Sequence, residues 1–252
     1  MTKEKHTGLI YGRNPILEWI DSGLGIKVVY ISRDAGQKPV RDILRYCDQK
    51  SVPLQRVSPH DISRITGTHK HQNVAARVEL PGYVELDELF RQAEKRDEAP
   101  LIVILDGITD PHNLGAILRT ADAAGVHGVI IPKDKAAGLT ASAVKASAGA
   151  AAYCPVVQVT NIVRTIKELK QRRLWITGLD QDAEQTFEYI DWCGPSALIM
   201  GSEGRGIRRL VRDSCDFIAS ISMHGHINSL NVSVAAALCM FEARRQRMRS
   251  NT

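Results

Sequence analysis

Short apolar runs alternate with helical patterns along most of this 252-residue chain. From residue 101 onward the runs are continuously apolar, as in Leu101-Ile-Val-Ile-Leu105, and such runs are typical of parallel strands buried on both faces. Alternation of this kind predicts an α/β fold built on a parallel sheet. The predicted strands of this part are 101–105, 129–131, 155–157, 174–177, 197–200 and 217–221, and the predicted helices are 113–124, 142–152, 162–171 and 231–247.

The first 80 residues show the same alternation with shorter elements, which predicts a separate small α/β domain over residues 1–80. Residues 81–98 begin with Pro81-Gly82, are acidic and carry only a short amphipathic stretch at Leu86, Leu89 and Phe90. We therefore interpret them as a linker to a second domain over 99–252. The predicted strands of the first domain are 9–11, 28–31, 54–57 and 74–78, and the predicted helices are 14–20, 40–47 and 61–65.

The composition of the chain indicates the compartment in which the protein acts and the kinds of ligand it can bind. The chain has no apolar run of about 18 residues, and no apolar segment follows its basic start, so we expect a cytoplasmic protein without a membrane span. Its five cysteines lie far apart, which is typical of reduced thiols. The histidine pairs at 69/71 and 224/226 lack further ligands at metal-binding spacing, so no metal is expected. Residues 1–80 carry a formal charge of +5, which fits a polyanionic partner as well as simple solubility.

Three loops at predicted strand ends are rich in Gly, Ser, Asn and acidic residues, and ligands of parallel α/β sheets bind at such ends. The first loop runs from Asp106 to Asn113 and leads into a helix that carries Arg119 above the small Gly115 and Ala116. The second is Gly201-Ser-Glu-Gly-Arg-Gly206, and the third runs from Ser222 to Asn231. Taken singly, each loop also fits a structural turn, and Ser229 or Asn231 fits a helix cap.

Taken together and in order, the loops carry three motifs: D-G-x-x-D-P-x-N-x-G-x-x-x-R-T-A, I-M-G-x-E-G-x-G and M-x-G-x-x-x-S-L-N-V-S-V-A. This set resembles the three motifs of the SpoU branch of the SPOUT RNA 2′-O-methyltransferases and spans residues 105–238. The front part, from Tyr11-Gly-Arg-Asn-Pro to His71-Gln-Asn-Val-Ala, is similar to the substrate-binding extension of that group, which resembles ribosomal protein L30e. The resemblance implies a C-terminal α/β domain with a trefoil knot, an L30e-like N-terminal domain and a homodimer.

The resemblance also implies S-adenosylmethionine as methyl donor and a set of site residues. Arg119 would activate the ribose hydroxyl, either as a base or as a phosphate or orienting contact, and four other residues would orient the catalytic groups and the ribose. The catalytic set is Asn113, Arg119, Glu203, Ser229 and Asn231; the cofactor set is Leu179, Met200, Gly201, Ile221, Met223 and Leu230. The residues expected to contact RNA are Arg13, Asn14, Lys70, His71 and Gln72. Two positions depart from the family pattern, Ser222 where Pro is usual and Asn73 where Gly is usual.

Three functions remain open at this point. The whole chain is most similar to the group that methylates guanosine riboses in bacterial 23S ribosomal RNA, which makes that reaction the first expectation. A tRNA ribose methyltransferase would carry the same motifs. A non-catalytic RNA-binding protein of ribosome assembly is the third alternative, and the presence of all five catalytic residues argues against it.

Overall fold

The computed structural model describes residues 6–202 and 204–250, which form two sheets with helices around them. The first sheet has the strand order β1-β4-β2-β3; β4 is antiparallel to β1 and β2, and β2 is parallel to β3. Its strands are β1 (His6–Tyr11), β2 (Ile26–Ser32), β3 (Leu54–Val57) and β4 (Val74–Leu80). The helices of this part are α1 (Arg13–Asp21), α2 (Gln37–Lys50) and α3 (Pro59–Thr66). All of these elements match predicted ones, most with longer bounds.

The second sheet contains six parallel strands in the order β10-β8-β9-β5-β6-β7. This confirms the parallel sheet predicted from the apolar runs. Its strands are β5 (Leu101–Asp106), β6 (Gly128–Pro132), β7 (Val156–Val159), β8 (Trp175–Leu179), β9 (Ser196–Gly201) and β10 (Phe217–Ala219). The remaining helices are α4 (Leu86–Lys95), α5 (Pro111–Ala123), α6 (Ala141–Ala146), α7 (Ile162–Gln171), α8 (Arg209–Arg212) and α9 (Val232–Ser250).

The segment interpreted as a linker contains α4, which is part of the second core. Leu89 is fully buried and packs with Ile102, Ile104 and Ile130 of the second sheet. The amphipathic stretch at 86–90 is therefore the apolar face of a docked helix. The segment is short and acidic, which is also typical of a linker. A short helix is stabilised mainly by the surface it packs against, and the sequence alone does not show that surface.

Two predicted helix bounds change for local reasons. The helix predicted over 142–152 ends at Ala146, because Ala148 and Gly149 have φ values of 49° and 91°, and only a 3₁₀ turn follows at Ala150–Ala152. Helix α1 begins at Arg13 after Gly12, so Asn14 is not its cap. Left-handed residues break the α-helical hydrogen-bond ladder, which explains the first change.

Helix α6 lies between α5 and the front sheet. A Cβ at Gly115 of α5 would lie 2.4 Å from Ala146 Cβ and 2.5 Å from Ala143 O, so glycine allows the two helices to touch. The small residue beneath Arg119 is thus explained by helix packing. On its other side α6 contacts β1 and β4, and Lys145 forms an ion pair with Glu18 of α1.

The last helix closes the second domain. Its buried residues include the predicted apolar stripe at 232, 235, 236, 239, 240 and 243. The buried Arg247 donates to backbone carbonyls of Trp192, Gly194, Ala99 and Pro100, which join the end of α9 to the start of β5. No helix within the described ranges is both long and apolar enough to cross a bilayer.

Candidate active site

The carboxyl ends of β5, β8, β9 and β10 meet at one edge of the second sheet, because parallel strands end on the same side. The buried Asp106, at the end of β5, accepts hydrogen bonds from the Arg208 backbone N at 2.9 Å and from its Nε at 2.7 Å. This pair fixes the loop after β9 against the end of β5. Asp106 therefore organises the site without facing a ligand.

Other residues of the first motif also stabilise the local backbone. Gly107 has φ 79°, a left-handed conformation that glycine adopts without strain. The Asp110 side chain accepts from the His112 backbone N at 2.9 Å and caps α5, with Pro111 in its first turn. Asn113, at the start of α5, contacts the third motif, as described below.

The glycines of the second motif form a closed turn. Ser202 and Gly206 exchange backbone hydrogen bonds of 3.1 and 2.9 Å, and Gly204 and Gly206 have positive φ values. A Cβ at Gly201 would lie 2.1 Å from the Gly206 backbone carbon, so glycine is required for this turn to fold back onto β9. Glu203 of the expected catalytic set is outside the residues that the structure describes.

A cavity of about 620 Å³ opens between these strand ends, within the range of small-molecule sites. All six residues expected to bind the cofactor line it, together with Ser229 of the catalytic set. Its lining residues are Leu179, Asp180, Gln181, Asp182, Met200, Gly201, Ser202, Gly204, Arg205, Gly206, Ile221, Met223, Asn228, Ser229, Leu230, Val232 and Ala235.

The lining fits a ligand with an apolar ring and polar edges, such as an adenosyl group. Leu179, Met200 and Ile221 supply apolar surface at the strand ends. The backbone of residues 221–230 makes no hydrogen bond to other backbone groups in the described part of the chain. Free N–H and C=O groups beside apolar side chains can recognise the edges of a purine, so S-adenosylmethionine fits these residues.

The first and third motifs are joined by their asparagines. Asn231 Nδ2 donates to Asn113 Oδ1 at 2.9 Å. Asn231 Oδ1 also accepts from the backbone N of Ser233 at 2.9 Å and from its Oγ at 2.6 Å, so Asn231 caps α9 as well. The side chain that caps α9 is thus the same one that contacts the first motif, so a cap does not exclude a role in the site.

Arg119 stands apart from this cluster. It is exposed on α5, does not line the cavity, and forms no ion pair or side-chain hydrogen bond within residues 6–202 and 204–250. Its guanidinium is therefore available to an RNA phosphate or ribose at the surface beside the site.

Several polar residues of the cavity were missed by sequence reasoning. Asp180, Gln181 and Asp182 follow the carboxyl end of β8, and Asp180 binds Arg212 at 3.0 Å. Arg205 and Asn228 lie within the motif loops. The signal available was their position directly after a buried strand, but a polar loop after a strand is also what a simple turn requires.

The residues expected to contact RNA lie close together at one end of the front domain. The Arg13 backbone N donates to Gln72 Oε1 at 3.0 Å, which ties the start of α1 to the loop before β4. Asn14, Lys70 and Gln72 are exposed there. Gln72 and Asn73 both have left-handed φ values, 52° and 63°, a conformation that Asn tolerates better than most residues other than Gly.

His71 has a different position from the rest of this set. It is only 4% exposed, its Nε2 lies 2.9 Å from Ser63 Oγ, and its Nδ1 accepts from the Asn73 backbone N at 3.1 Å. Burial, followed by the nearby His69, lowers the pKa of His71. His71 therefore shapes the loop that presents Lys70 and Gln72 and does not itself reach the surface.

Residue types suited to metal binding do not cluster in the described ranges, where no group of three His, Cys, Asp or Glu side chains could hold an ion. His224 and His226 lie exposed on the third motif loop. The five cysteines are free thiols, and burial raises the pKa of both Cys154 and Cys239 to about 12.

Two sequence families match this chain. The SpoU rRNA methylase family matches residues 100–241, and the RNA 2′-O ribose methyltransferase substrate-binding family matches residues 9–84. The chain is 44% identical over 223 residues to the 23S rRNA (guanosine-2′-O-)-methyltransferase RlmB of Ralstonia nicotianae, covering 88% of each chain. It is 39% identical over 246 residues to an uncharacterized tRNA/rRNA methyltransferase of Mycolicibacterium vanbaalenii, covering 97% of this chain and 78% of that relative.

A solved structure shares the whole architecture. The SpoU methyltransferase AviRb from Streptomyces viridochromogenes, in complex with the cofactor AdoMet, is similar with a TM-score of 0.69 and 28% identity. The match covers 96% of this chain and 91% of AviRb. The similarity therefore extends over both parts of the chain.

Proposed function

This chain belongs to the SpoU rRNA methylase family, and we propose that it transfers a methyl group from S-adenosylmethionine to the 2′-hydroxyl of a guanosine in 23S ribosomal RNA. The observation that carries the proposal is the cavity at the strand ends, where all six expected cofactor residues meet beside the joined Asn113 and Asn231. The matched substrate-binding domain and relatives such as RlmB support RNA as the methyl acceptor.

The bound cofactor supplies an electrophilic methyl group on a sulfonium, so the protein's task is to align the ribose oxygen with it. Asn231 is held by α9 and by Asn113, so its position is fixed before substrate binds. Ser229 lies on the cavity wall two residues earlier, and in this proposal it orients the ribose. Glu203, from the glycine turn, would complete the set.

Arg119 acts in this proposal through its charge. A ribose hydroxyl ionises far above neutral pH, and a guanidinium retains its proton, so Arg119 lowers the energy of the developing oxyanion or holds the adjacent phosphate. Its exposed position, with no ion pair to any residue that the structure describes, suits either contact. The loss of the hydroxyl proton to solvent or to a neighbouring group follows from that stabilisation.

The front domain selects the RNA. One end of this domain is polar and basic and contains Arg13, Asn14, Lys70 and Gln72. Contacts of this end with RNA phosphates supply most of the salt-sensitive affinity. Contacts with splayed bases supply the recognition of RNA shape. The enzyme acts in the cytoplasm, where its ribosomal substrate is found. It acts as a homodimer built on α9, whose outer face exposes Val234, Leu238, Phe241 and Met248.

The experiment that tests the proposal compares two RNA substrates. Purified protein is incubated with methyl-labelled S-adenosylmethionine and either 23S rRNA or bulk tRNA from cells that lack the enzyme, and the RNA is digested to nucleosides. We expect label in 2′-O-methylguanosine from 23S rRNA, with activity retained in EDTA. Label in tRNA alone would select the second candidate, which the name of the Mycolicibacterium relative keeps open. Cofactor binding without transfer to any RNA would favour the assembly protein.

A further inference from the structure

Two charged side chains on the cavity wall have no charged partner among the residues that the structure describes. Among the acidic and basic residues that line the cavity, Asp180 is neutralised by Arg212 at 3.0 Å. Asp182 and Arg205 form no ion pair or side-chain hydrogen bond in the described part of the chain. Both are exposed. The cavity therefore presents one free negative and one free positive group.

Hydrogen bonds order the backbone of the two loops that carry these residues. The Asp182 backbone N donates to Asp180 Oδ1 at 3.1 Å, and Asp180 is in turn held by Arg212 of α8. Arg205 lies between Gly204 and Gly206 in the turn closed by the Ser202–Gly206 hydrogen bonds. The two loops that carry the charges are thus ordered independently of any ligand.

A ligand that satisfies both groups carries one cationic and one anionic group. S-adenosylmethionine has such a pair in the α-ammonium and α-carboxylate of its methionine end. A guanidinium matches a carboxylate through parallel N–H donors, and a carboxylate accepts from an ammonium. The apolar part of the wall, with Met200 and Ile221, is then left for the adenosyl end.

We propose that Arg205 and Asp182 bind the zwitterionic amino-acid end of the cofactor, Arg205 through the carboxylate and Asp182 through the ammonium. The inference rests on the proposed function, since it assumes that the cavity holds S-adenosylmethionine. It adds a charge-based selection for the complete cofactor over nucleosides that share its adenine and ribose.

Calorimetry on the full-length protein tests this with two ligands. S-adenosylhomocysteine carries the amino-acid end, whereas 5′-methylthioadenosine has the same thioadenosyl part without it. We expect Arg205→Ala and Asp182→Asn each to weaken S-adenosylhomocysteine about 5- to 20-fold, a moderate effect for charge-assisted contacts that remain partly in water. The affinity for 5′-methylthioadenosine should stay within about twofold, because that ligand has no group for either residue.

Three variants make the comparison specific. Arg205→Lys keeps the charge and should recover part of the affinity for S-adenosylhomocysteine. Arg209→Ala removes an exposed arginine of α8 outside the cavity lining and should leave both ligands unchanged. Thermal unfolding checks that every variant is folded.

Each outcome has a distinct meaning. Equal weakening of both ligands would overturn the inference, because the residues would then shape the cavity and not read the amino-acid end. Unchanged S-adenosylhomocysteine binding together with a raised KM for RNA would also overturn it and assign Arg205 to the substrate. If the unmodified protein bound neither ligand, the proposed function itself would fail.

Discussion

Arg119 is an exposed member of the expected catalytic set, and it lies outside the cavity lining on α5. Arg119→Ala should lower kcat by about 10²-fold or more, the scale seen when one group that stabilises a developing charge is removed. Cofactor affinity should stay within a few-fold, because the cavity is built from other loops. Methyl-transfer kinetics and calorimetry measure the two effects.

A matched control for that substitution is Arg249→Ala, which removes an exposed arginine at the end of α9. It should leave kcat unchanged. A normal rate in Arg119→Ala would return this residue to the role of a solvated surface side chain.

His127 gives the protein an acid-sensitive point far from the site. It is fully buried, its Nδ1 accepts from the Leu101 backbone N at 2.9 Å, and its Nε2 lies 3.3 Å from Glu98 Oε2. Burial, and then the positive charge of Arg96, lower the pKa of His127 to about 4, against the opposing effect of Glu98. His127 is therefore protonated below about pH 6.5 in the unfolded chain but only below about pH 4 in the folded chain.

The free energy of unfolding should consequently fall as the pH drops from 6.5 toward 4 and be insensitive to this group above 6.5. The expected loss is about 2–3 kcal/mol. In His127→Gln, whose amide can still accept from Leu101 N, this part of the pH dependence should disappear. Urea unfolding at a series of pH values gives the comparison, and parallel curves for the two proteins would contradict the assignment.

At the level of elements, the end of α9 is held by one side chain. Arg247 places its guanidinium against four carbonyls from two segments that precede β5 and β9. Arg247→Met should lower the free energy of unfolding by about 3 kcal/mol or more, because buried carbonyls lose a charged donor. Denaturant unfolding measures it, with Arg249→Met expected within about 0.5 kcal/mol of the unmodified protein. Similar effects of the two substitutions would mean that water replaces the lost donor.

Helix α6 shows how a short element can organise a larger region. It contacts α5 at Gly115 and the front sheet at β1 and β4. The alanine-rich sequence around it permits this close packing on both sides. The front sheet therefore contacts α6, which packs against α5, the helix that carries Arg119.

At the scale of the whole molecule, the outer face of α9 determines assembly in our proposal. Val234, Leu238 and Phe241 recur at helical spacing and are 42–51% exposed, opposite the buried stripe. Leu238→Glu with Phe241→Glu should shift the protein from dimer to monomer, because two charges per chain would be buried at the interface. Light scattering after size-exclusion chromatography measures the mass. Lys167→Glu, on the exposed face of α7, serves as the charge-change control, and an unchanged mass in the double variant would place the dimer elsewhere.

Local patterns alone were enough to predict the two α/β units and most elements, because apolar periodicity follows directly from which face of a strand or helix is buried. The motifs likewise identified the loops that form the cavity. Long-range contacts decided the roles of individual residues. Asp106 binds Arg208, and Gly115 allows α6 to pack closely against α5. His71 is buried against Ser63. The knot that the family resemblance implies is also a property of chain path that no periodicity encodes. Tertiary structure alone distinguished Asp180, which pairs with Arg212, from Asp182 and Arg205, which pair with no charged residue in the described ranges, because pairing depends on residues distant in sequence.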